Sequence, residues 1–235
     1  MRAQDANLDM VCEIAERLSN LREEVVFLGG ATLGLFITDP TSPGMRTTKD
    51  VDVIVEVASY VKYEAIATRL RELGFSQPID KSEDAPMCRW FIEDAVLDVM
   101  PTEPEALGFS NRWYPVALRS ATRRILSNGL EIRVVTAPCF LATKLEAFAG
   151  RGNGEYAVSH DMEDIIVLIN GRREIVDEIK NSDAEVRRYL AEQFTNLMAN
   201  DTFLDALPGH LEPDAASQSR IIPLTKRLEA IRNTV

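Results

Sequence analysis

The sequence predicts an α/β domain followed by a C-terminal helical domain. Three observations carry this. Short apolar runs alternate with helically spaced segments up to about residue 137, and two turn signals separate neighbouring strand-like runs in the middle of the chain. From Pro138 onward the apolar period becomes 3.6 and stays there. With 235 residues the chain has room for one large domain or two small ones, at roughly 100–200 residues per domain. The expected division is 1–137, α/β, and 138–235, helical.

The elements follow in order. Leu8, Val11, Cys12, Ala15 and Leu18 recur at helical spacing over residues 8–20, and 25–28 is a short buried strand. Gly29-Gly30 interrupts the pattern before an apolar helical stretch over 31–37. A polar loop with Pro40, Pro43 and Gly44 then leads into a strand over 51–57. A helix over 59–73 carries Ala65, Ile66, Leu70 and Leu73 on one side and stops at Gly74, the residue type that most readily ends a helix. Strands are expected over 87–92 and 96–100 around a turn at Glu93-Asp94. Ser127-Asn128-Gly129 marks a second hairpin between 124–126 and 132–135. Helices are expected over 138–149, 159–170, 174–180, 183–199 and 221–233.

Composition narrows the function classes. Hydrophobic residues at 46% and charged residues at 27% exclude a disordered or low-complexity chain. No apolar run reaches the roughly 20 residues a membrane helix needs, and charges interrupt the opening segment at every turn. Neither a membrane partner nor a signal peptide is expected, and the expected location is cytoplasmic. The balance of 26 Lys+Arg against 37 Asp+Glu, a net charge of −11, repels a polyanion at long range and argues against generic nucleic-acid coating. A local basic patch is still free to hold a specific RNA or a triphosphate, because phosphate contacts depend on nearby cations. Cys12, Cys88 and Cys139 form no CxxC pair and suit neither a disulfide framework nor a zinc site.

Three carboxylates and a glycine turn carry the chemistry. Residues i and i+2 of a strand share a face, so Asp50 and Asp52 project together from the start of an otherwise apolar strand. Two such acids repel each other unless a cation joins them, and magnesium, which takes oxygen ligands and bridges carboxylates to phosphates, suits the pair. Asp98 sits in a second apolar strand, Val96-Leu97-Asp98-Val99-Met100. Paired beside the first strand, it would complete a two-metal cluster of the kind that stabilises attacking and leaving oxygens in phosphoryl displacement. Gly29-Gly30, between a strand and a helix, is the expected phosphate seat, where a tight turn lets phosphate approach backbone amides.

These segments resemble a known superfamily. Leu28-Gly29-Gly30-Ala31, Arg46-Thr47-Thr48-Lys49-Asp50-Val51-Asp52-Val53 and Leu97-Asp98-Val99 look like the nucleotidyltransferases related to DNA polymerase beta. Lys144-Leu145-Glu146-Ala147-Phe148-Ala149-Gly150-Arg151, followed by Asp161-Met162-Glu163-Asp164-Ile165, resembles the AbiEii-like branch, which includes toxins of bacterial toxin–antitoxin pairs. The resemblance covers about 27–170 and implies a nucleotidyltransferase-like mixed sheet. By position it implies that Asp50, Asp52 and Asp98 are catalytic and hold magnesium, or manganese in its place, with Asp98 helping to activate the acceptor. Gly29, Gly30 and Thr32 would seat the phosphates, Lys144 would contact the triphosphate, and Arg151 and Asp161 would support the nucleotide site. The implied enzyme transfers a nucleoside monophosphate from a nucleoside triphosphate and releases pyrophosphate. RNA or tRNA is the favoured acceptor, ahead of a protein side chain or an aminoglycoside-type small molecule, and an antitoxin protein is an implied partner. The family pattern is departed from at TDPTSPGMRTT, residues 38–48, which lengthens the spacing from Gly30 to Asp50. The insertion reads either as a mobile rim on the pocket or as a displacement of the turn.

Plainer readings stand beside these. Lys144, Ala147 and Arg151 share one helical face, yet Lys144 and Arg151 also read as solvated helix charges. Asp161 follows Ser159, an N-cap candidate, so its acid also reads as a complement to the helix dipole. His160 has no Cys or His partner nearby in the sequence and makes a poor zinc site, and His210 reads as a loop residue. Arg119, Arg123, Arg124 and Arg133 gather around the second hairpin, with Arg112 near Trp113 and Tyr114. They suit either stacking on unpaired bases or pairing with the protein's own acids. Two non-enzyme classes remain, a nucleotide-binding regulatory protein without turnover and a structural interaction module. An antibiotic nucleotidyltransferase is the alternative within the enzyme class.

Overall fold

The computed structural model describes residues 5–42, 44–77 and 86–235; Pro43 of the polar loop lies outside the described residues. The chain forms two compact units, Met1–Leu35 with Arg46–Thr136, and Phe36–Met45 with Ala137–Val235. The segment 36–45 therefore belongs with the helices and not with the α/β unit that surrounds it in sequence.

In the first unit, helix α1 (Ala6–Arg17) is capped by Asp5, whose carboxylate accepts from the amides of Asn7 and Leu8, and it buries Val11, Ile14 and Ala15. The sheet has the order β3-β4-β2-β1-β6-β5. Its strands are β1 (Val25–Leu28), β2 (Asp50–Val55), β3 (Arg89–Ile92), β4 (Ala95–Pro101), β5 (Thr122–Ile125) and β6 (Glu131–Val134). β2 runs parallel to β4 and β1 to β6, while the other pairs are antiparallel, so the sheet is mixed. All four residues of β1 are buried, as a strand covered on both faces requires.

A parallel pair needs a crossover, and α2 (Tyr60–Glu72) lies within the one joining β2 to β4. Ser59 caps α2, and the chain turns away at Gly74 with φ +92°. Its buried face presents Tyr63, Ile66, Ala67 and Leu70. The Tyr63 hydroxyl donates to the Val99 carbonyl at 3.2 Å and accepts from Trp90 Nε1 at 3.4 Å, tying the helix to two strands. Burial pushes the Tyr63 phenol well above its ordinary range. α3 (Tyr114–Arg119), with Pro115 in its first turn, has six residues, too few for a 3.6 period to register in the sequence. Cys12, Cys88 and Cys139 are buried free thiols, and burial pushes Cys88 up to about 12.

One element differs in kind. The apolar stretch expected as a helix over 31–37 is a six-residue 3₁₀ helix, Gly30–Leu35. Thr32 explains the tightening: its amide and its hydroxyl both donate to the Gly29 carbonyl, at 3.1 and 2.9 Å, closing an i→i+3 turn.

The second unit holds α4 (Ala137–Arg151), α5 (His160–Gly171), α6 (Ile175–Lys180), α7 (Ala184–Met198), α8 (Asp201–Ala206), α9 (Ala215–Gln218) and α10 (Ile221–Arg232). Phe140, Leu145, Ile165, Leu168, Leu190, Phe194, Leu224 and Leu228 form its core. No described helix is long and apolar enough to cross a membrane.

The first part of the 38–48 insertion docks on these helices. Phe36 packs on Phe140 with ring centroids 5.2 Å apart, and the amides of Thr38 and Asp39 donate to the Gly171 carbonyl at 3.0 and 2.9 Å. The buried Asp39 carboxylate accepts from Arg173 at 3.1 Å and Arg220 at 2.9 Å, and from the Thr41 amide and hydroxyl. Burial pushes this carboxyl up, but the Thr41 and arginine hydrogen bonds outweigh it and hold Asp39 well below the usual carboxylate range. Asp39→Ala is expected to cost about 3 kcal/mol in urea denaturation, because it removes the buried carboxylate that Arg173 and Arg220 share. A loss below about 0.5 kcal/mol would show the pairing to be incidental.

Candidate active site

Strand register brings the carboxylates together. Asp52 lies opposite Asp98 on β4 and opposite Leu28 on β1, and Asp98 lies opposite Arg89 on β3. Arg89, Asp98, Asp52 and Leu28 thus form one row across four strands, and residues directly opposite share a face with Cβ atoms roughly 5 Å apart. Asp50, two residues before Asp52, is on that face too. The three carboxylates anticipated from separate segments therefore occupy one patch of sheet.

Each is held in a different way. Asp50 accepts the Thr48 hydroxyl at 2.8 Å on Oδ1 and Arg89 Nη2 at 3.0 Å on Oδ2. Thr48 is itself positioned by α1: the Asn7 side chain accepts from the Thr48 amide at 3.0 Å and donates to the Arg46 carbonyl at 2.9 Å. Asp98 receives Arg89 in a bidentate fork, Nε to Oδ1 at 2.9 Å and Nη2 to Oδ2 at 2.7 Å. The Asp98 side chain is 7% exposed, whereas Arg89 and Asp50 are 31% and 33% exposed, so the patch opens to solvent on their side. The Asp98 hydrogen bond foremost, with the charges of Asp98 and Asp50, raises the Arg89 guanidinium further above its ordinary value against the opposing effect of burial.

Gly29 makes room for Asp52. Its φ is +77°, and a Cβ there would sit 1.9 Å from Asp52 Oδ2, so backbone conformation and space both demand glycine. Gly30 and Thr32 are buried within the 3₁₀ turn, and the Thr32 hydroxyl is engaged with the Gly29 carbonyl. The strand-to-helix seat expected here is therefore a strand-to-3₁₀ turn, with no long helix dipole behind it.

Lys144, Arg151 and Asp161 come together in the second unit. Lys144 Nζ lies 2.7 Å from Asp164 Oδ2 and 3.1 Å from Asp161 Oδ1. Arg151 forks onto Asp161 with Nε to Oδ2 at 2.9 Å and Nη2 to Oδ1 at 2.8 Å. Asp161 and Asp164 are buried and Lys144 is nearly so, which removes the reading of Lys144 as a solvated charge; Arg151 is largely exposed. Ser159 caps α5 by accepting from the Met162 amide, while the Asp161 carboxylate serves the two cations. Burial pushes Asp161 up, but the Arg151 hydrogen bond and the charges of Lys144 and Arg151 prevail and hold it below its ordinary value.

The remaining candidates have plainer surroundings. His160 is exposed beside Glu163, and His210 Nε2 lies 2.8 Å from the Tyr156 carbonyl. Around the second hairpin Arg123 pairs with Glu131, Arg133 donates to the Leu118 carbonyl at 3.0 Å, and Arg112 lies over the Trp113 ring.

Among the described residues no three Cys, His, Asp or Glu side chains are gathered as a metal cage. Within the Asp50, Asp52 and Asp98 patch the Arg89 guanidinium bridges two of the three carboxylates. The donor set still suits a hard divalent ion: all three groups are carboxylates on one face, and two of them already share a cation. Arg89 is the residue that sequence reasoning missed.

No family model matches the chain, and no curated protein matches it in sequence. Similar solved structures are nucleotidyltransferase-like. One is an antigenic nucleotidyltransferase-like protein from Paracoccidioides brasiliensis, with a TM-score of 0.47 at 20% identity over 87% of this chain and 94% of that one. Another is the antibiotic-resistance factor ANT(2″)-Ia in solution, with a TM-score of 0.44 at 12% identity over 96% of this chain and 99% of that one.

Proposed function

We propose that this protein is a magnesium-dependent nucleotidyltransferase that moves a nucleoside monophosphate from a nucleoside triphosphate to an acceptor hydroxyl and releases pyrophosphate. The observation that carries the reading is the row of Asp98 and Asp52 in register, with Asp50 on the same face and Gly29 cleared of any side chain beside Asp52. Asp50, Asp52 and Asp98 would hold magnesium or manganese, which when bound lowers the pKa of the acceptor hydroxyl and offsets charge on the phosphoryl oxygens. Thr48 and Asn7 orient Asp50 from behind. Asp98, mostly shielded from water, would help to activate the acceptor hydroxyl. Gly29, having no side chain, leaves the space that the Asp52 carboxylate occupies. Lys144 would exchange a carboxylate oxygen of Asp161 or Asp164 for a phosphate oxygen, with Arg151 retaining Asp161.

The AbiEii-like assignment rests on the K-x-x-A-x-x-x-R and D-x-x-D segments, and it is supported by Lys144, Arg151, Asp161 and Asp164 meeting as one charge cluster. On this reading the favoured acceptor is RNA, tRNA first, and the protein is the toxin of a pair neutralised by an antitoxin. The test is incubation of purified protein with each α-labelled triphosphate, magnesium and total cell extract. Label in the tRNA size range with pyrophosphate release is expected. Label on protein or on added aminoglycoside would reassign the acceptor. Nucleotide binding without pyrophosphate under every condition would replace the enzyme by a regulatory nucleotide binder.

A further inference from the structure

We infer that Arg89 is a displaceable internal counter-ion of the carboxylate patch: it holds Asp98 and Asp50 together and must leave them for a divalent ion to bind. The inference rests on the metal-site reading above and concerns a residue that reading does not use. Three carboxylates on one sheet face repel one another, and Arg89 is the cation that bridges two of them, through three hydrogen bonds of 2.7 to 3.0 Å. Both Asp98 oxygens are engaged in its fork, so any ion that takes Asp98 as a ligand competes with Arg89 for the same lone pairs. A guanidinium does not lose its proton in proteins, so the competition is resolved only by movement.

The fold permits that movement in the side chain alone. β3 is the edge strand of the sheet, and the register Arg89↔Asp98 is fixed by the hairpin whose turn is Glu93-Asp94. The Arg89 side chain is 31% exposed at the open side of the patch, where a long stem can swing into water without disturbing the strand. The mostly shielded Asp98 carboxylate cannot follow it. The consequence is a patch that stays assembled at rest and has a weakened affinity for a bare divalent ion.

The test is Mn²⁺ binding to the full chain without nucleotide, read by electron paramagnetic resonance of the free ion, for wild type, Arg89→Gln and Arg89→Lys. Arg89→Gln is expected to bind Mn²⁺ about tenfold or more tightly than wild type, since a cation beside a carboxylate shifts its affinity for another cation by about one to three log units. Arg89→Lys is expected to fall between them, because an ammonium cannot reproduce the fork. Equal or weaker binding by folded Arg89→Gln overturns the inference and leaves the metal site standing. Absence of Mn²⁺ binding in all three proteins overturns both. Should Arg89→Gln fail to fold, the wild-type protein gives a second readout. The Arg89 Nε–H resonance, sheltered by Asp98, is expected to shift or vanish into exchange on Mg²⁺ titration, and its persistence at saturating Mg²⁺ overturns the inference.

Discussion

Asp52→Asn is expected to lower nucleotidyl transfer by about 10³-fold or more while leaving the denaturation midpoint nearly unchanged. Asparagine has the size of aspartate, so it occupies the space that Gly29 leaves without a new clash. The change removes one negative charge from a crowded face, and Arg89 keeps its hydrogen bonds to Asp98 and Asp50. Packing is therefore preserved, and the loss falls on the charge that would hold a cation against a developing phosphoryl charge. Electrostatic contributions of that kind are worth about 10² to 10³ in rate even for a neutral donor, and a lost ligand costs more. The measurement is the initial rate of pyrophosphate release beside a urea titration of the same preparation. Transfer within tenfold of wild type would remove the catalytic assignment of the patch. Asp98→Asn offers the contrast, because there the fork from Arg89 is weakened too, and stability is expected to fall together with activity.

Much of the patch was legible because strand geometry is periodic. Asp50 and Asp52 alternate with Val51 and Val53, and Gly29-Gly30 follows an apolar strand, so face and turn could both be read from the sequence. Arg89 was legible in principle. A two-residue turn at Glu93-Asp94 pairs Ile92 with Ala95, and counting outward pairs Arg89 with Asp98, as the sheet has it. The 3₁₀ helix after Gly30 was less accessible, since its tightening comes from the Thr32 hydroxyl closing on the Gly29 carbonyl and not from the apolar pattern. The docking of 36–45 was not accessible at all. It depends on Asp39 meeting Arg173 and Arg220, more than 130 positions away, and no local propensity encodes such a meeting. α3, α8 and α9 are too short for periodicity to separate them from loops.

Lys144→Met is expected to cost about 3–5 kcal/mol in the unfolding of the helical unit, a larger stability effect than any other single change considered. Methionine keeps the length and apolar stem of lysine but removes the cation between two carboxylates, of which Asp161 is 5% and Asp164 1% exposed. Asp161 retains the Arg151 fork, so the loss falls mainly on Asp164, whose contact with Lys144 is the shorter at 2.7 Å. Removing one partner of a buried ion pair characteristically costs this much, because the remaining charge has neither water nor a counter-ion. The pH dependence gives the sign. In wild type the Asp161 carboxyl is held below its ordinary value, so its stabilising contribution is present above the unfolded pKa of about 4 and is lost as pH falls through the folded value. Without Lys144 that depression shrinks. The stability gap between variant and wild type is therefore expected to be widest near neutral pH and to narrow as pH falls below about 4, measured by urea titrations at a series of pH values. A gap that is constant with pH would mean that Lys144 stabilises through its stem alone. A gap near zero at neutral pH would mean that both carboxylates find other cations, and Lys144 would then be free to serve a nucleotide without a structural duty.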